Sequence, residues 1–311
     1  RVLWQSISAL QKRYDFVRCV VYAGYEKGIS SDKIIKDVED RFSITLRQRV
    51  EFVYLHRVRW VEPQCWPRFT ILGQSFGSVI LGLEALIKFG PHFLIDTTGY
   101  AFVIPVFRWF GGCKTASYVH YPTVSTDMIE KVRSSESSYN NSNRITQSRV
   151  LTNLKLYYYR IYAKLYGFAG RRNDIVMVNS TWTHGHISKI WRSRNIYIIY
   201  PPCDTSSFEQ FPLQRNWKRF SIVSIGQFRP EKDHTLQLTT LRRFLSQLSR
   251  QEAATVELVL IGSCRNDDDR SRVIELRRLA SNLGIQDHVR FEINVPFQKL
   301  REELAQASAA L

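Results

Sequence analysis

Residues 220–234 read Phe-Ser-Ile-Val-Ser-Ile-Gly-Gln-Phe-Arg-Pro-Glu-Lys-Asp-His, and this stretch decides the fold. The apolar, β-branched run Ile222–Ile225 has the length of a buried strand. Gly226 ends the run, and glycine allows a sharp turn or the close approach of a ligand. A helix is predicted next, because leucines recur at helical spacing at Leu238, Leu241, Leu245 and Leu248. The stretch therefore predicts one strand–loop–helix unit of an α/β sheet.

The loop of this unit carries two fixed positive charges, Arg229 and Lys232. In an open α/β sheet, ligands bind beyond the carboxyl ends of the strands. A helix N-terminus also favours anions, because its N–H groups are free and its dipole is positive there. We therefore predict a diphosphate-binding loop formed by Gly226, Gln227, Arg229 and Lys232. The alternative is a solvated loop with two surface cations, and spacing alone does not decide between the two.

Strand and helix patterns alternate along the whole chain, which predicts parallel pairing in doubly wound sheets. Before residue 200 the predicted strands are Phe16–Tyr22, His92–Thr97, Ala116–His120 and Ile175–Asn179, with helices between them, one of them Asp32–Arg41. Tyr200-Pro201-Pro202 and a polar stretch to Lys218 interrupt the pattern, as a hinge does. Three strand–helix units follow, with strands near Ile222, Val256 and Val289. We predict two domains, 1–202 and 203–311.

Composition narrows the class of protein. The 311 residues are 44% hydrophobic, which is enough for a packed core, and the formal net charge is +16. Such a charge favours polyanionic partners: nucleic acid, an anionic membrane or phosphorylated substrates. The five cysteines are scattered without a Cys-x-x-Cys pair, which argues against a disulfide framework and favours a reducing compartment. Neither a dinucleotide-binding nor a P-loop motif follows any predicted strand.

Two stretches suggest contact with a membrane. Phe69–Phe89 contains only two charges and is just long enough to span a bilayer, but its glycines and serines favour a buried or membrane-surface helix. Leu151–Arg172 mixes tyrosine, leucine and isoleucine with five basic residues, so it predicts either an interfacial helix or a core helix with a basic outer face.

Ser134–Ser148 is rich in serine and asparagine and is predicted to be a surface loop.

Three further groups could carry chemistry. His120 stands at the carboxyl end of a predicted strand, which is where a site residue belongs, although a lone histidine is more often structural. Asp267-Asp268-Asp269 stands at a helix start, where carboxylates are expected as caps and dipole partners rather than metal ligands. His184 and His186 have no third ligand nearby in sequence, so a metal site there is not favoured. Asn179-Ser180-Thr181 is expected to end a strand and cap the next helix.

The run from Ser224 to His234 resembles the donor-phosphate loop of retaining GT-B glycosyltransferases, and among them the dolichol-pathway α-1,2-mannosyltransferase family. Lys232 matches the lysine of that family, whereas Gln227 stands where many relatives have arginine. Other runs carry the same resemblance: Arg1-Val-Leu-Trp, Leu72-Gly-Gln-Ser, Gly99-Tyr-Ala-Phe, Tyr118-Val-His-Tyr-Pro-Thr-Val-Ser-Thr-Asp-Met, Val176-Met-Val-Asn-Ser-Thr-Trp-Thr, Tyr200-Pro-Pro-Cys-Asp and Ile261-Gly-Ser-Cys-Arg-Asn.

The resemblance implies a GT-B fold, in which two Rossmann-like domains face each other across a cleft. The implied reaction is transfer of mannose from GDP-mannose, with retention, to a dolichol-diphosphate oligosaccharide on the cytosolic face of the endoplasmic reticulum. Residues 1–202 would be the acceptor side and 203–311 the donor side. Lys232 and Arg229 would stabilise the leaving diphosphate without a metal or other cofactor, and His120 would contact the donor sugar. Other mannosyltransferases of the pathway are candidate partners.

Both ends of the sequence are interpreted as cut. The resemblance implies a glycine-rich loop before Arg1, a glutamate pair after Leu311 and an amino-terminal membrane anchor, so the second domain is expected to be incomplete and the fragment inactive. The last helix is expected to run to Leu311 without a following strand. The competing hypotheses are a basic nucleic-acid-binding protein, for which no recognised motif is present, and a non-catalytic scaffold.

Overall fold

The computed structural model describes residues 1–42, 44–133, 149–202, 205–211 and 219–311. The chain divides into two compact units, Arg1–Pro202 and Cys203–Leu311. Each unit has its own parallel strands and its own apolar clusters. The surface loop predicted at 134–148 lies outside the described residues.

The described part of the first unit contains six parallel strands in two sheets. Strands β1 (Val20–Gly24) and β2 (Glu51–Leu55) form a pair, and four further strands lie in the order β3-β4-β5-β6. These four are β3 (Phe93–Asp96), β4 (Lys114–Val119), β5 (Ile175–Val178) and β6 (Ile196–Ile198). Parallel pairing requires crossover connections, and helices supply most of them.

The helices of this unit are α1 (Val2–Arg13), α2 (Ser31–Phe42), α3 (Thr70–Lys88), α4 (Val103–Phe110), α5 (Thr126–Arg133), α6 (Arg149–Gly170) and α7 (Thr181–Trp191). Short 3₁₀ turns at Arg57–Val61 and Pro63–Cys65 precede α3. Ser180 caps α7 as predicted, because its hydroxyl accepts a hydrogen bond from the Thr183 N–H at 3.1 Å.

One predicted strand of this unit is misplaced. Phe16–Tyr22 was expected to be a strand, but β1 begins only at Val20. Phe16 is 86% exposed, and its ring lies 5.8 Å from that of Tyr14, so it does not belong to the sheet. The apolar run therefore includes an exposed connection as well as a strand, which hydrophobicity alone does not separate.

The core of the first unit lies between its four-stranded sheet and its helices. Val119, Val176 and Val178 are buried against α6 and α7, which contribute Tyr162 and Trp191 to the same cluster. A second cluster joins β3 to α3 and α4, and a third packs α1 and α2 against β2.

Helix α3 is long and apolar enough to cross a membrane, and 33% of its most apolar window is buried within the protein.

Among the described residues of the second unit, the strands form one parallel sheet in the order β10-β7-β8-β9. Its strands are β7 (Phe220–Ile225), β8 (Val256–Gly262), β9 (Val289–Ile293) and β10 (Ala309–Ala310). Its helices are α8 (Ser206–Glu209), α9 (His234–Leu245), α10 (Arg250–Ala253), α11 (Asp267–Asn282) and α12 (Phe297–Gln306). The three predicted strand–helix units are all present.

Helices cover both faces of this sheet, which confirms the doubly wound prediction. Successive side chains of a strand point to opposite faces. Leu258 and Leu260 of β8 pack in the cluster that contains residues of α9 and α11, whereas Val259 and Ile261 pack in the cluster that contains Leu304 of α12. Apart from Glu257, which bonds Arg290, the strand is therefore apolar, as expected of a parallel strand buried on both sides.

The last helix was predicted to run to Leu311 without a following strand, and this prediction was wrong. Helix α12 ends at Gln306, and Ala309–Ala310 forms a strand that pairs in parallel with Ile222 and Val223 of β7. The Ser308 N–H also donates to the Ser221 carbonyl oxygen at 2.7 Å. Two alanines carry no strand pattern of their own, so only this pairing defines the strand.

Candidate functional site

The loop after β7 has a fixed backbone. The Gly226 N–H donates to the Ile261 carbonyl oxygen at 2.9 Å, so pairing with β8 continues to the loop. A 3₁₀ turn, Pro230–Lys232, leads to Asp233, which has a left-handed φ of 44°. Aspartate tolerates this conformation better than most residues. The Asp233 carboxylate accepts from the Leu236 N–H at 3.2 Å and so caps α9.

A buried aromatic pair anchors the loop to the body of the unit. Phe228 is fully buried, and its ring stacks on that of His234 with centroids 5.0 Å apart. His234 is also buried, and burial, followed by the charges of Arg272 and Lys232, lowers its pKa. Its Nδ1 atom has no hydrogen-bond partner among the described residues. Burial and the nearby Lys232 charge thus both favour the uncharged form of the imidazole that stacks on Phe228.

The two cations differ in their surroundings. The Arg229 guanidinium is partly buried and lies 3.5 Å from the Glu231 carboxylate. Lys232 is exposed, and its ammonium group forms no ion pair or hydrogen bond with any residue that the structure describes. Gln227 carries no charge. Its backbone carbonyl oxygen accepts a hydrogen bond from the Arg229 N–H at 2.7 Å. Lys232 is thus available to an incoming anion, whereas Arg229 shares its charge with Glu231.

Sequence reasoning missed the residues that shape the neighbouring strand ends. Asn294, just after β9, has a left-handed φ of 53°, and its N–H donates to the Gly262 carbonyl oxygen at 2.9 Å. Its side-chain oxygen accepts from the Cys264 N–H at 2.9 Å, and its side-chain nitrogen donates to the Cys264 carbonyl oxygen at 3.3 Å. An asparagine beyond a strand is a known candidate for this conformation, so the signal was present but weak.

His120 follows β4 in the first unit, where the sequence placed it. The side chain is exposed, and its ring lies 4.9 Å from that of Tyr118. The Tyr118 hydroxyl donates to the Ile199 carbonyl oxygen at 2.8 Å, which ties the end of β4 to the end of β6. The exposed His120 side chain can therefore donate or accept a hydrogen bond, and the contacts of Tyr118 fix the strand end that carries it.

The segment after His120 is held against the start of α7. Tyr121 stacks on Trp182 at 5.0 Å. The Thr126 N–H lies 3.3 Å from His186 Nδ1, so that nitrogen is an acceptor. The proton is then on Nε2, which lies 3.3 Å from the Asp127 carboxylate. His186 thus links the start of α5 to α7 through its contacts with Thr126 and Asp127.

A small cavity of about 160 Å³ lies beside the ends of β3 and β4. Its lining includes Ser75, Thr123, Tyr162 and Tyr166. Asp96 ends β3 beside it, and its carboxylate accepts from the Thr98 N–H, the Thr98 hydroxyl and the Gly99 N–H at 3.0, 2.8 and 3.2 Å. Burial raises the pKa of Asp96 in spite of these bonds.

The carboxylates of Asp267 and Asp269, at the start of α11, bond neighbouring residues of the same helix and of the segment just before it. Asn266 is the cap, since its side chain accepts from the Asp269 N–H at 3.0 Å. The Asp269 carboxylate accepts from the Arg265 N–H at 3.0 Å, and Asp267 pairs with Arg270. Within the described ranges, no group of three histidine, cysteine or acidic side chains could hold a metal ion.

Two family descriptions match the chain. Residues 1–191 match "ALG11 mannosyltransferase N-terminus", and residues 206–311 match "Glycosyl transferases group 1". Among curated proteins, the chain is 46% identical over 314 residues to a "GDP-Man:Man(3)GlcNAc(2)-PP-Dol alpha-1,2-mannosyltransferase" of Xenopus laevis, covering 100% of this chain and 64% of the relative. The Homo sapiens protein of the same name is 44% identical over 316 residues, with the same coverage. The chain thus spans about 64% of the length of these relatives.

Solved structures of glycosyltransferases share the fold. A UDP-forming trehalose-phosphate synthase from Burkholderia xenovorans aligns with a TM-score of 0.62 at 9% identity, over 94% of this chain and 77% of that chain. A glycosyltransferase from Rickettsia africae aligns with a TM-score of 0.59 at 12% identity, over 99% of this chain and 68% of that chain. At such low identity the likeness concerns the fold, and it supports the GT-B assignment made from sequence.

Proposed function

The chain belongs to the ALG11 mannosyltransferase family, and from this premise we propose that the protein transfers mannose from GDP-mannose to a dolichol-diphosphate oligosaccharide in α-1,2 linkage. The names of the relatives support the donor, the acceptor and the linkage. The observation that carries the proposal is the loop after β7, where a partly buried Arg229 and an exposed Lys232, which has no ion pair with any described residue, precede α9.

We assign to this loop the stabilisation of the leaving group. When the bond between mannose and GDP breaks, negative charge grows on the diphosphate. A fixed cation stabilises that developing charge more in the transition state than in the ground state. Lys232 would supply most of the positive charge. Arg229 would supply less, because Glu231 partly neutralises it. The N-terminus of α9 would donate its free N–H groups to the phosphate oxygens. Gly226 and Gln227 would lie along the phosphates.

His120 would contact the donor sugar, and the anomeric configuration would be retained. The imidazole is exposed at the end of β4, and Tyr118 and the α7 contacts fix its backbone. A hydrogen bond from such a group orients a sugar without entering the covalent chemistry. We propose that no metal ion is required, because the loop cations meet the charge of the diphosphate.

The acceptor carries a long lipid, so the reaction is proposed to take place at a membrane. We place it on the cytosolic face of the endoplasmic reticulum, with other mannosyltransferases of the pathway as neighbours. The helix α3 supports membrane contact only weakly, since core helices pass the same test of length and apolarity.

A transfer assay tests the proposal. The protein, prepared at the full length of its relatives, is incubated with radiolabelled GDP-mannose and a dolichol-diphosphate acceptor that carries three mannoses. We expect a labelled lipid-linked product that an α-1,2-mannosidase cleaves, and a rate that EDTA leaves unchanged. UDP-glucose is the matched donor control. Transfer from UDP-glucose in preference to GDP-mannose, or steeply salt-dependent RNA binding without any transfer, would contradict the proposal.

A further inference from the structure

Helix α6 carries an apolar stripe on its outer surface. Five side chains between 39% and 64% exposed recur along the helix: Leu154, Tyr157, Ile161, Leu165 and Phe168. Their spacing of three and four residues places them on one side of an α-helix. The opposite side of the helix, with Tyr159, Tyr162 and Tyr166, is buried in the unit. The α6 stripe is therefore an exposed second apolar surface on a helix that already has a buried one.

Basic residues border the α6 stripe. Arg160 and Lys164 are exposed, one helical turn apart, and both lie within about 60° to 120° of the centre of the stripe by helical geometry. Neither forms an ion pair with a residue that the structure describes. Residues 149–170 contain no aspartate or glutamate at all. The outer face of α6 thus combines apolar and positively charged side chains and has no negative charge of its own.

An aromatic group on a second helix extends the surface. Trp109, near the end of α4, is exposed, and its ring lies 5.9 Å from that of Phe168. The Arg172 guanidinium lies 4.4 Å from the Phe168 centroid and 5.5 Å from the Trp109 centroid. Tryptophan, tyrosine and arginine are the side chains that favour the boundary between lipid tails and headgroups.

We propose that the α6 stripe, with Trp109, Arg160 and Lys164, is a docking surface for an anionic phospholipid bilayer, on which α6 lies parallel to the membrane plane. The apolar side chains would enter the boundary of the acyl region, and the cations would meet lipid phosphates. Charge complementarity favours lipid over a second copy of the chain, because a symmetric contact through α6 would bring like charges together. The inference does not depend on which sugar is transferred.

Vesicle flotation of the 311-residue chain tests the surface, with vesicles of 70:30 phosphatidylcholine and phosphatidylserine and with pure phosphatidylcholine. The stripe variant is Tyr157→Ser with Ile161→Ser, and the charge variant is Arg160→Gln with Lys164→Gln. We expect the stripe variant to bind the anionic vesicles at least about tenfold more weakly. The charge variant should lose on the order of tenfold on anionic vesicles and little on neutral ones.

Matched controls lie on exposed positions of the second unit. Leu236→Ser with Ile274→Ser removes a similar apolar area, and Arg242→Gln with Arg278→Gln removes the same charge. Both controls should bind within about twofold of the wild type, and thermal unfolding should confirm that every variant is folded. The charge variant keeps the test decisive if the stripe variant unfolds.

Three outcomes would overturn the proposal. The first is a wild-type chain that stays unbound on anionic vesicles at low salt. The second is equal loss of binding in the α6 variants and in the controls, which would indicate a diffuse charge effect. The third is a dimer in solution that the stripe variant dissociates, with no vesicle binding, which would assign the surface to a second copy.

Discussion

The carbonyl oxygen of Gly226 lies 2.1 Å from the position that a Cβ atom would occupy on Gly262. Real Cβ atoms do not approach an oxygen so closely, so the ends of β7 and β8 can meet in this way only if residue 262 is glycine. The contact sets where the chain leaves β7, and the cations of the following loop depend on that exit.

Gly262→Ala should therefore disturb the donor loop. The added methyl group must push the Gly226 carbonyl away, and overpacking of this kind costs about 1–3 kcal/mol. We expect lower stability in urea unfolding and a raised KM for GDP-mannose. Gly185→Ala is the control, because a Cβ at that helical position meets nothing within 4 Å and alanine favours a helix. Equal stability of the two variants would show that the loop tolerates the methyl group.

Lys232→Ala should lower kcat far more than it changes acceptor KM. Removing one donor to a developing oxyanion costs on the order of 10²–10³ in rate. Arg229→Ala should cost less, since its charge is shared with Glu231 at 3.5 Å. Arg242→Ala, an exposed cation of α9, is the control. A wild-type rate for the Lys232 variant would mean that the loop does not bind the diphosphate.

Glu231→Gln separates the contributions of the two loop cations. The substitution removes the negative charge beside Arg229 and leaves Lys232 unchanged. We expect equal or higher kcat, because Arg229 can then direct its full charge toward the diphosphate. Steady-state transfer kinetics with GDP-mannose measure the change. A fall in kcat comparable with that of Arg229→Ala would show instead that Glu231 positions the arginine.

Glu303→Gln should destabilise the second unit, most clearly near neutral pH. The Arg290 guanidinium donates to the buried Glu303 at 2.7 Å and also bonds Glu257. The bond from Arg290 lowers the pKa of Glu303 although burial opposes it. Its stabilising effect is therefore complete above the unfolded pKa of about 4.3 and is lost as the pH falls through the folded pKa.

We expect Glu303→Gln to lower the free energy of unfolding by about 1–3 kcal/mol at pH 7, measured in urea. The loss should shrink at pH 3. Glu302→Gln, which changes an exposed neighbour on the same helix, should have almost no effect. A loss of the same size at pH 3 and pH 7 would show that packing, rather than charge, accounts for the role of Glu303.

Local patterns predicted most of the fold, including the loop between β7 and α9 in which the candidate site is proposed. The strands β7, β8 and β9, the cap at Ser180 and the loop cations all follow from short runs of sequence, because the forces that form them act between near neighbours. β10 could not be predicted, since two alanines become a strand only through pairing with β7. The site roles of His120, Arg229, Lys232, Gly226 and Gln227 stay predictions until kinetics test them.

Burial in loops was the other property that the sequence did not reveal. Phe228 stands between a glutamine and an arginine, which is typical of an exposed loop residue, yet it is fully buried on His234. The α6 stripe is the opposite case, where apolar residues at helical spacing are exposed. Periodicity gives the face of a helix to which a side chain belongs, but tertiary packing decides which face is covered.

Asp96 should make the stability of the first unit fall as the pH rises. Its carboxyl group is buried at the end of β3, and burial raises its pKa in the folded protein. The unfolded chain gives up this proton near pH 3.9, before the folded protein does. Between the two pKa values unfolding releases a proton, so each higher pH unit favours the unfolded state by up to about 1.4 kcal/mol.

Asp96→Asn removes this titration and keeps a side-chain oxygen that can accept the bonds from Thr98 and Gly99. We expect the difference in melting temperature, variant minus wild type, to rise from pH 4 to pH 7. Glu84→Gln should show the opposite slope, because hydrogen bonds from the His56 and Arg57 N–H groups and from Lys88 together outweigh burial and lower the pKa of Glu84. Parallel curves for Asp96→Asn and the wild type would mean that Asp96 titrates alike in the folded and unfolded states, so that its hydrogen bonds offset the effect of burial.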